Sequence, residues 1–409
     1  MRAPVLVLAT LLLVPTATAS LVGGLLGPPP QPADVIVGHQ TGERDAVSAL
    51  LGSLGATVGR ADADLSFVTA RVPSLPLAMA ALTASPLVTF VETDHATAMT
   101  GAEWNGAEWN GAEWNGAEWN GAEWNGIAGA PAEPGLGFQW GLMAIHAPLA
   151  WKTTTGSDGA TLCVLDSGVD ATHPDLAPNM WSDATGAHGW NFVANNADTS
   201  DDGGHGTHMA GIAAASIGNA WGVAGVGNER IMSVKVLDGS GHGKESDLAS
   251  GIAWCALHGA KVALMALSVT DWGPALEGAV AFAAKRDVLL VGSAGNAGPC
   301  TDCVAYPARD ARVLAVSAID AAGKPASFSS QGAQVDIAAP GVKILSTFPG
   351  DRFVYGSGTS QAAAFAAGVA ALARDRAPSL SADATRTLLT STTASGARLD
   401  AGAALQRLG

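Results

Sequence analysis

The stretch Thr161-Leu162-Cys163-Val164-Leu165-Asp166-Ser167-Gly168 is an apolar run that ends on an acidic residue and turns through a glycine. Such a run is typical of a buried strand in a parallel sheet. In open α/β sheets, functional side chains gather at the carboxyl ends of the strands. We therefore predict that Asp166 stands at the edge of a parallel sheet, beside a cleft.

Two later segments supply the residue types that such a carboxylate needs as partners. His205 lies between glycines in Gly204-His205-Gly206-Thr207-His208 and opens a predicted helix that continues through 209–215. Ser360 ends Gly356-Ser357-Gly358-Thr359-Ser360 and opens an alanine-rich helix at 361–373, whose N terminus favours negative charge. An imidazole can remove the proton of a serine hydroxyl, and a buried carboxylate orients and stabilises that imidazole. Together the segments predict a triad of Asp166, His205 and Ser360, in one of its known chain orders.

Each segment taken alone has a more ordinary interpretation. An isolated Asp-Ser-Gly is usually a turn, and an isolated Gly-Thr-Ser is usually the start of a helix. His208, three residues after His205, fits a packed structural histidine better than a second base. A zinc site on these two histidines would need a glutamate between them, as in His-Glu-x-x-His, and none is present. The ordered combination is what favours catalysis.

From about Gln139 onward, the chain resembles the subtilisin-like serine proteases, or subtilases. The resemblance implies a mostly parallel central sheet flanked by helices on both faces, and an endopeptidase that forms an acyl-enzyme on Ser360. It also implies that the side-chain amide of Asn296 donates to the oxyanion, although an asparagine after Gly295 also fits a plain turn. The matching motifs, in order, are Asp166–Asp170 with His173–Leu176, Gly204–Gly211, Ser293–Asn296, Tyr306-Pro307, Ala339–Gly341 and Gly358–Ser360.

The chain departs from the family pattern at two places. Ala266-Leu267-Ser268 falls where subtilases carry Ser-Leu-Gly, so the resemblance implies that these three residues bind the substrate backbone. Ser268 in place of the glycine predicts a preference for smaller or differently shaped groups before the scissile bond. After Ser360, the residues 361–364 replace the family's Met-Ala-Ser-Pro. The lost proline would only preset the first helical turn, so we expect the chemistry to survive.

The resemblance also implies calcium, although the chemistry itself needs no cofactor. Asp175, Asn219 and Asp336 lie where subtilases place oxygen ligands of calcium, which prefers hard oxygen donors. Each of these residues fits a turn or a solvated surface equally well.

Four cysteines are present. In an exported protein, Cys300-Thr-Asp-Cys303 favours a small disulfide over a zinc site, which would need a second pair nearby. Cys163 and Cys255 are expected to be buried, and whether they pair is left open.

The first residues predict export. Met1-Arg2 is followed by an apolar core at Val5–Val14 and by the small-residue site Ala17-Thr18-Ala19, so residues 1–19 are typical of a secretory signal peptide. A membrane span would need about 20 apolar residues, more than this core offers. The net charge of −15 and the lack of a basic run argue against nucleic acid as a partner. We expect a secreted monomer.

A small domain precedes the subtilase-like part. After a spacer at 20–33, the hydrophobic pattern of residues 34–98 predicts a βαββαβ module, an α+β fold of the ferredoxin-like kind. Its position resembles that of a subtilase propeptide, which assists folding and inhibits the protease until it is cleaved. The partners implied are peptide substrates and this propeptide. The alternative is an independent binding domain.

Between the two parts, Gly-Ala-Glu-Trp-Asn is repeated five times from Gly101 to Asn125. A period of five fits neither helix nor strand, so we assign residues 99–135 to a low-complexity linker. The tryptophans offer an alternative, a stacking array on a catalytically silent protein that serves binding or display. The complete triad and Asn296 favour a catalytic domain at 136–409.

Overall fold

The computed structural model describes residues 31–99, 133–157, 159–269, 271–298, 300–393 and 397–409. The predicted signal peptide and the five repeats lie outside the described residues.

The N-terminal module is an antiparallel four-stranded sheet with two helices. Its elements follow the order βαββαβ, and the strands lie in the order β2-β3-β1-β4, which is the ferredoxin-like arrangement. The bounds are β1 (Ala33–His39), α1 (Arg44–Ser53), β2 (Thr57–Asp62), β3 (Phe67–Val72), α2 (Leu75–Thr83) and β4 (Val88–Thr93).

The two faces of this small sheet have different partners. Alternation along β1 sends Val35 and Val37 into the module's own core against the two helices. Ile36 points to the opposite face, where it joins Phe67 in a cluster with residues of the main domain. The module therefore buries its second sheet face on the rest of the protein.

The main domain is built on a seven-stranded parallel sheet in the order β14-β13-β12-β10-β6-β8-β7. The sequence-based prediction of a mostly parallel α/β fold is confirmed. The strands are β6 (Thr161–Asp166), β7 (Gly189–Asn191), β8 (Arg230–Lys235), β10 (Val262–Met265), β12 (Leu289–Ser293), β13 (Val313–Ile319) and β14 (Ile337–Pro340).

Helices cover both faces of this sheet. Along β6, Leu162 and Val164 face one core cluster, and Cys163 and Leu165 face the other. The first cluster contains α5 (His205–Ala214) and α8 (Thr359–Arg376), and the second contains α6 (Glu245–Leu257) and α7 (Pro274–Lys285). The remaining helices are α3 (Trp140–Ala144), α4 (Ala147–Ala150), α9 (Ala382–Ser391) and α10 (Ala401–Arg407).

Two small sheets lie outside the main one. The hairpin of β15 (Ile344–Phe348) and β16 (Arg352–Gly356) is antiparallel. The other sheet has the order β11-β5-β9 and consists of β5 (Ala96–Met99), β9 (His242–Lys244) and β11 (Leu267–Val269). The central strand of this sheet, β5, runs past residue 98, where the sequence predicts that the N-terminal module ends.

The structure contains two disulfides. Cys163 on β6 is joined to Cys255 on α6, with the Cα atoms 6.0 Å apart, a pairing that the sequence left open. Cys300 is joined to Cys303. Over the described ranges, we find no helix with the length and apolar character that crossing a membrane would require.

Candidate active site

Asp166 and His205 form a buried acid–imidazole pair. Asp166 ends β6, and His205 is the first residue of α5. The Nδ1 atom of His205 lies 2.7 Å from Oδ1 and 2.8 Å from Oδ2 of Asp166, and both side chains are almost fully buried. A hydrogen bond from Nδ1 to the carboxylate fixes the tautomer in which Nε2 is free of its proton and can accept one.

Glycines allow this close approach. Gly204 has a φ of +88°, and a Cβ atom there would overlap the ring of Phe348. A Cβ atom on Gly206 would overlap the carbonyl oxygen of Gly168. The glycines on either side of His205 thus let the start of α5 pack onto the turn that follows Asp166.

Asp201 holds the same two segments together, and sequence reasoning missed it. Its Oδ1 accepts from the hydroxyl of Ser167 at 2.9 Å and from the amide of Gly204 at 2.7 Å. Its Oδ2 accepts from the amide and hydroxyl of Thr207 at 2.8 and 2.6 Å. An acidic residue just before a helix is a capping signal, so the sequence did contain a clue.

Ser360 lies at the same edge of the sheet. It is the second residue of α8, is fully buried, and donates its hydroxyl to the carbonyl of Ala266 at 3.0 Å. Ala266 directly follows β10, and the parallel register pairs Met265 with Leu165, the residue before Asp166. Ser360 therefore contacts the residue that follows β10, next to the strand end that carries Asp166.

Asn296 is anchored by Thr359, the residue that precedes Ser360. Its Oδ1 accepts from both the amide and the hydroxyl of Thr359, each at 3.0 Å. The Thr359 hydroxyl in turn accepts from the amide of Gly295 at 3.1 Å, where φ is +103°. Because the carbonyl oxygen of Asn296 is held by Thr359, the side-chain NH2 group is the end that can face a substrate. Thr359 is a positioning residue that the sequence did not reveal.

His208 has the surroundings of a structural histidine. It is fully buried, and its Nε2 lies 3.1 Å from the carbonyl oxygen of Val354. Burial, together with the neighbouring His205, lowers the pKa of His208 to about 3, so the ring stays neutral. Within the described part of the chain, no three His, Cys, Asp or Glu side chains converge as a metal site.

The chain's own β5 pairs with the segment that the sequence assigned to substrate binding. It runs antiparallel between β11 and β9, with Met99 opposite Leu267 and Ala98 opposite Ser268. Thr97 is fully buried, and Met99 packs on Gly241, where a Cβ atom would overlap the methionine side chain. Leu267 and Ser268, expected to bind a substrate backbone, are thus paired with an extended segment, and Ala266 is the next residue along.

Two of the three candidate calcium ligands lie together. The side-chain amide of Asn219 is 2.8 Å from Oδ1 of Asp175, whose pKa burial raises to about 6. Glu133, in the segment predicted as linker, joins them by accepting from the amides of Gly218 and Asn219. Burial and the charge of Asp175 raise the pKa of Glu133 to about 7.

Asp336 is not part of that group. At the start of β14, its carboxylate accepts from the guanidinium of Arg386 at 2.7 and 2.8 Å and from the amide of Ala315 at 2.8 Å. The ion pair satisfies the charge that a calcium ion would otherwise neutralise.

Known proteins share this architecture. Residues 157–408 match the model of the subtilase family. A thermophilic serine proteinase of Bacillus sp. (strain AK1) is 44% identical over 237 residues, which is 58% of this chain and 57% of the relative. Thermitase of Thermoactinomyces vulgaris is 41% identical over 235 residues, which is 57% of this chain and 81% of thermitase.

A solved structure covers most of the chain. Fervidolysin from Fervidobacterium pennivorans, described as a keratinolytic enzyme related to subtilisin, superposes with a TM-score of 0.76 at 26% identity. The match covers 94% of this chain and 62% of fervidolysin. The chain thus spans a little under two thirds of fervidolysin and 57% of the thermophilic proteinase. Since the family model spans well over half of the sequence, the protein belongs to the subtilase family.

Proposed function

We propose that the protein is an exported serine endopeptidase that is made as a zymogen and cleaves itself. The observation that carries the proposal is the edge at which Ser360, the Asp166–His205 pair and β5 meet. An extended peptide strand, the nucleophile and a buried acid–imidazole pair are all found there.

The reaction assigns one role to each residue. Nε2 of His205 removes the proton of the Ser360 hydroxyl as its oxygen attacks the scissile carbonyl, and later gives that proton to the leaving amine. Asp166 stabilises the imidazolium that forms. The NH2 group of Asn296 and the N terminus of the 18-residue α8 stabilise the oxyanion. Water then attacks the acyl-enzyme carbonyl as Nε2 of His205 takes its proton, and the ester bond to Ser360 breaks as that proton returns to the serine oxygen.

The substrate is a peptide in extended conformation. β9 and β11 form two sheet edges with room for one strand between them, which β5 fills in this structure. Strand addition draws its affinity from main-chain hydrogen bonds, and side-chain pockets add selectivity. This mode of binding suits the interior of an unfolded protein chain, as an endopeptidase requires.

The module at residues 34–98 acts as the propeptide. Ile36 and Phe67 pack against the main domain, and β5 continues from the module into the cleft. The fold thus joins a docking surface to a strand that blocks substrate binding. The same contacts would let the module support folding of the main domain before it is removed.

The register of β5 against β11 indicates which bond would be cleaved. Met99 faces Leu267, so one further step along the antiparallel ladder reaches Ala266, whose carbonyl accepts the Ser360 hydroxyl at 3.0 Å. The next residue in the sequence is Thr100, and we propose cleavage between Thr100 and Gly101. Threonine is small, in keeping with the effect expected of Ser268. The mature chain would then begin with the first repeat.

We also propose that the protein binds a calcium ion and is exported. Glu133 and Asp175 supply hard oxygen atoms that fit calcium, and the ion would neutralise these two neighbouring carboxylates. Asn219 presents its NH2 group to Asp175 and its side-chain oxygen to the amide of Trp221, so it is the weaker candidate ligand. One oxygen of Glu133 is buried with no hydrogen-bond partner among the described residues, and a cation would satisfy such an atom. The two disulfides agree with an oxidising compartment.

The test compares the full-length chain with its Ser360→Ala variant and a matched control, Ser357→Ala. Ser357 lies in the same segment, and its hydroxyl accepts from the amide of Lys343 at 3.0 Å. We expect the wild type and Ser357→Ala to digest unfolded casein and to yield a new N terminus beginning Gly-Ala-Glu-Trp-Asn. Ser360→Ala should do neither. Equal casein digestion by Ser360→Ala, or none by the wild type, would refute the endopeptidase.

A further inference from the structure

Two glutamates face each other where the module meets the main domain. Glu92 lies on β4, and Glu245 is the first residue of α6. Both reach the N terminus of α7: Glu92 accepts from the amide of Ala275 at 2.9 Å, and Glu245 accepts from the amide of Gly273 at 3.3 Å. A Cβ atom on Gly273 would overlap a carboxylate oxygen of Glu92 and lie 3.0 Å from one of Glu245. The two carboxyl groups thus crowd one helix end.

We propose that this pair makes release of the cleaved module pH-dependent, because Glu92 and Glu245 cannot both ionise without repelling each other while the module is docked. The inference rests on the proposed role of the module as a propeptide. It adds that the cleaved module is retained at mildly acidic pH and leaves as the pH rises past neutrality.

Burial makes the contact sensitive to charge. Glu245 is fully buried in the docked structure, and its second oxygen has no hydrogen-bond partner among the described residues. Burial, followed by the charge of Glu92, raises the pKa of Glu245 to about 8. Burial raises the pKa of Glu92 to about 7, and Asp94 adds to the shift.

Neighbouring charges do not offset the repulsion. Two cations at this contact pair with other carboxylates: Arg60 with Asp247 at 2.7 Å and Lys244 with Asp34 at 2.9 Å. The imidazole of His95 lies 3.3 Å from the carboxylate of Asp271. Asp94 adds another negative charge, although Ser246 donates to it through its amide and hydroxyl. Glu277, in the first turn of α7, is acidic too. Among the described residues, no cation lies within ion-pair distance of Glu92 or Glu245.

The docked and the separated states bind different numbers of protons, and this difference sets the direction in which pH changes the affinity. Once the module has left, both carboxyl groups meet water and return toward their ordinary pKa of about 4.3. The docked complex therefore holds more protons than the separated parts. Between about pH 4.3 and about pH 8, the dissociation constant of the module should rise by about tenfold per pH unit for each extra proton that the docked complex holds. Above about pH 8 it should level off.

The measurement must not depend on the enzyme's own activity. The full-length Ser360→Ala chain is cut within its repeats by a glutamate-specific protease, and the dissociation constant of the nicked complex is measured by gel filtration and tryptophan fluorescence from pH 5 to 9. We expect the constant to rise at least about a hundredfold between pH 6 and 8, because both carboxyl groups lose their protons in this range. In the same background, Glu245→Gln leaves only the titration of Glu92 and should reduce that rise to about tenfold.

Two further variants make the outcome decisive. Glu92→Gln makes the same change on the other side of the contact and should also reduce the rise, leaving only the titration of Glu245, so a folding defect in one variant cannot mimic the result. Glu277→Gln, on the same helix end but outside the pair, should keep the wild-type profile. A pH-independent dissociation constant, or equal profiles in wild type and both glutamine variants, would overturn the inference. Loss of casein digestion would bear only on the proposed protease activity.

Discussion

The hydroxyl of Thr359 donates to Oδ1 of Asn296 at 3.0 Å, so the residue directly before the proposed nucleophile orients the proposed oxyanion donor. The amide of Thr359 binds the same oxygen at 3.0 Å. This arrangement couples the position of Asn296 to that of Ser360, because both depend on the first turn of α8.

Removing the oxyanion donor should reduce turnover more than binding. We expect Asn296→Ala to lower kcat by about 100 to 1000-fold with little change in KM, as in a related enzyme that loses one such donor. Thr359→Val keeps the amide contact and loses only the hydroxyl, so its loss of kcat should be smaller. The check is steady-state kinetics on a peptide substrate. A KM effect without a kcat effect would argue against an oxyanion role.

Ser268 should restrict the residue before the scissile bond. We expect Ser268→Gly to raise the ratio of kcat/KM for phenylalanine over alanine at that position by about tenfold, within the range that small changes in a pocket produce. A panel of peptides that differ only at this residue measures the ratio. A wild-type enzyme that already prefers large aromatic residues strongly would contradict the expectation.

Calcium should reverse a pH-dependent loss of stability. Without calcium, the raised pKa values of Asp175, about 6, and Glu133, about 7, mean that the folded protein binds more protons than the unfolded one. Stability from these groups is therefore present at low pH and is lost as the pH rises through about 7. With a chelator, Tm should fall between pH 5 and 8, and millimolar calcium should restore it.

Thermal unfolding of the Ser360→Ala chain measures this effect without self-digestion. A change of 1 kcal/mol corresponds to roughly 2 to 4 °C in Tm for a domain of this size. Glu133→Gln should remove much of the calcium response, and Asp336→Asn should leave that response in place, because Asp336 pairs with Arg386. A calcium response that survives Glu133→Gln unchanged would place the ion elsewhere.

The two disulfides should differ in their contribution to stability. The Cys163–Cys255 bond closes a loop with a sequence separation of 92, and the Cys300–Cys303 bond closes one of 3. Loop-closure entropy predicts that replacing the first pair by alanines costs about 2 to 5 kcal/mol of unfolding free energy, and the second pair much less. Urea unfolding of both double variants, made in the Ser360→Ala chain, tests the difference. Equal losses would argue against the entropic account.

The sequence by itself determined the helices and strands, and it predicted that Asp166, His205 and Ser360 lie at the ends of three of them. Apolar runs, small-residue helices and glycine turns are local patterns, and they also predicted the βαββαβ order of the module. They could not predict that Asp201 bridges the turn after β6 to α5, or that Thr359 holds Asn296. These contacts require two distant segments to be packed first.

The tertiary structure alone decided how the two parts of the chain meet. Nothing local in Ala96–Met99 indicates that it enters a sheet between β9 and β11, because its partners lie about 150 to 170 residues away. The same holds for Glu133 beside Asp175, and for Glu92 opposite Glu245. A carboxyl group becomes sensitive to its neighbours only when folding removes water from around it. Periodicity and capping therefore fix the elements along the chain, and burial and long-range register fix which charges and strands meet.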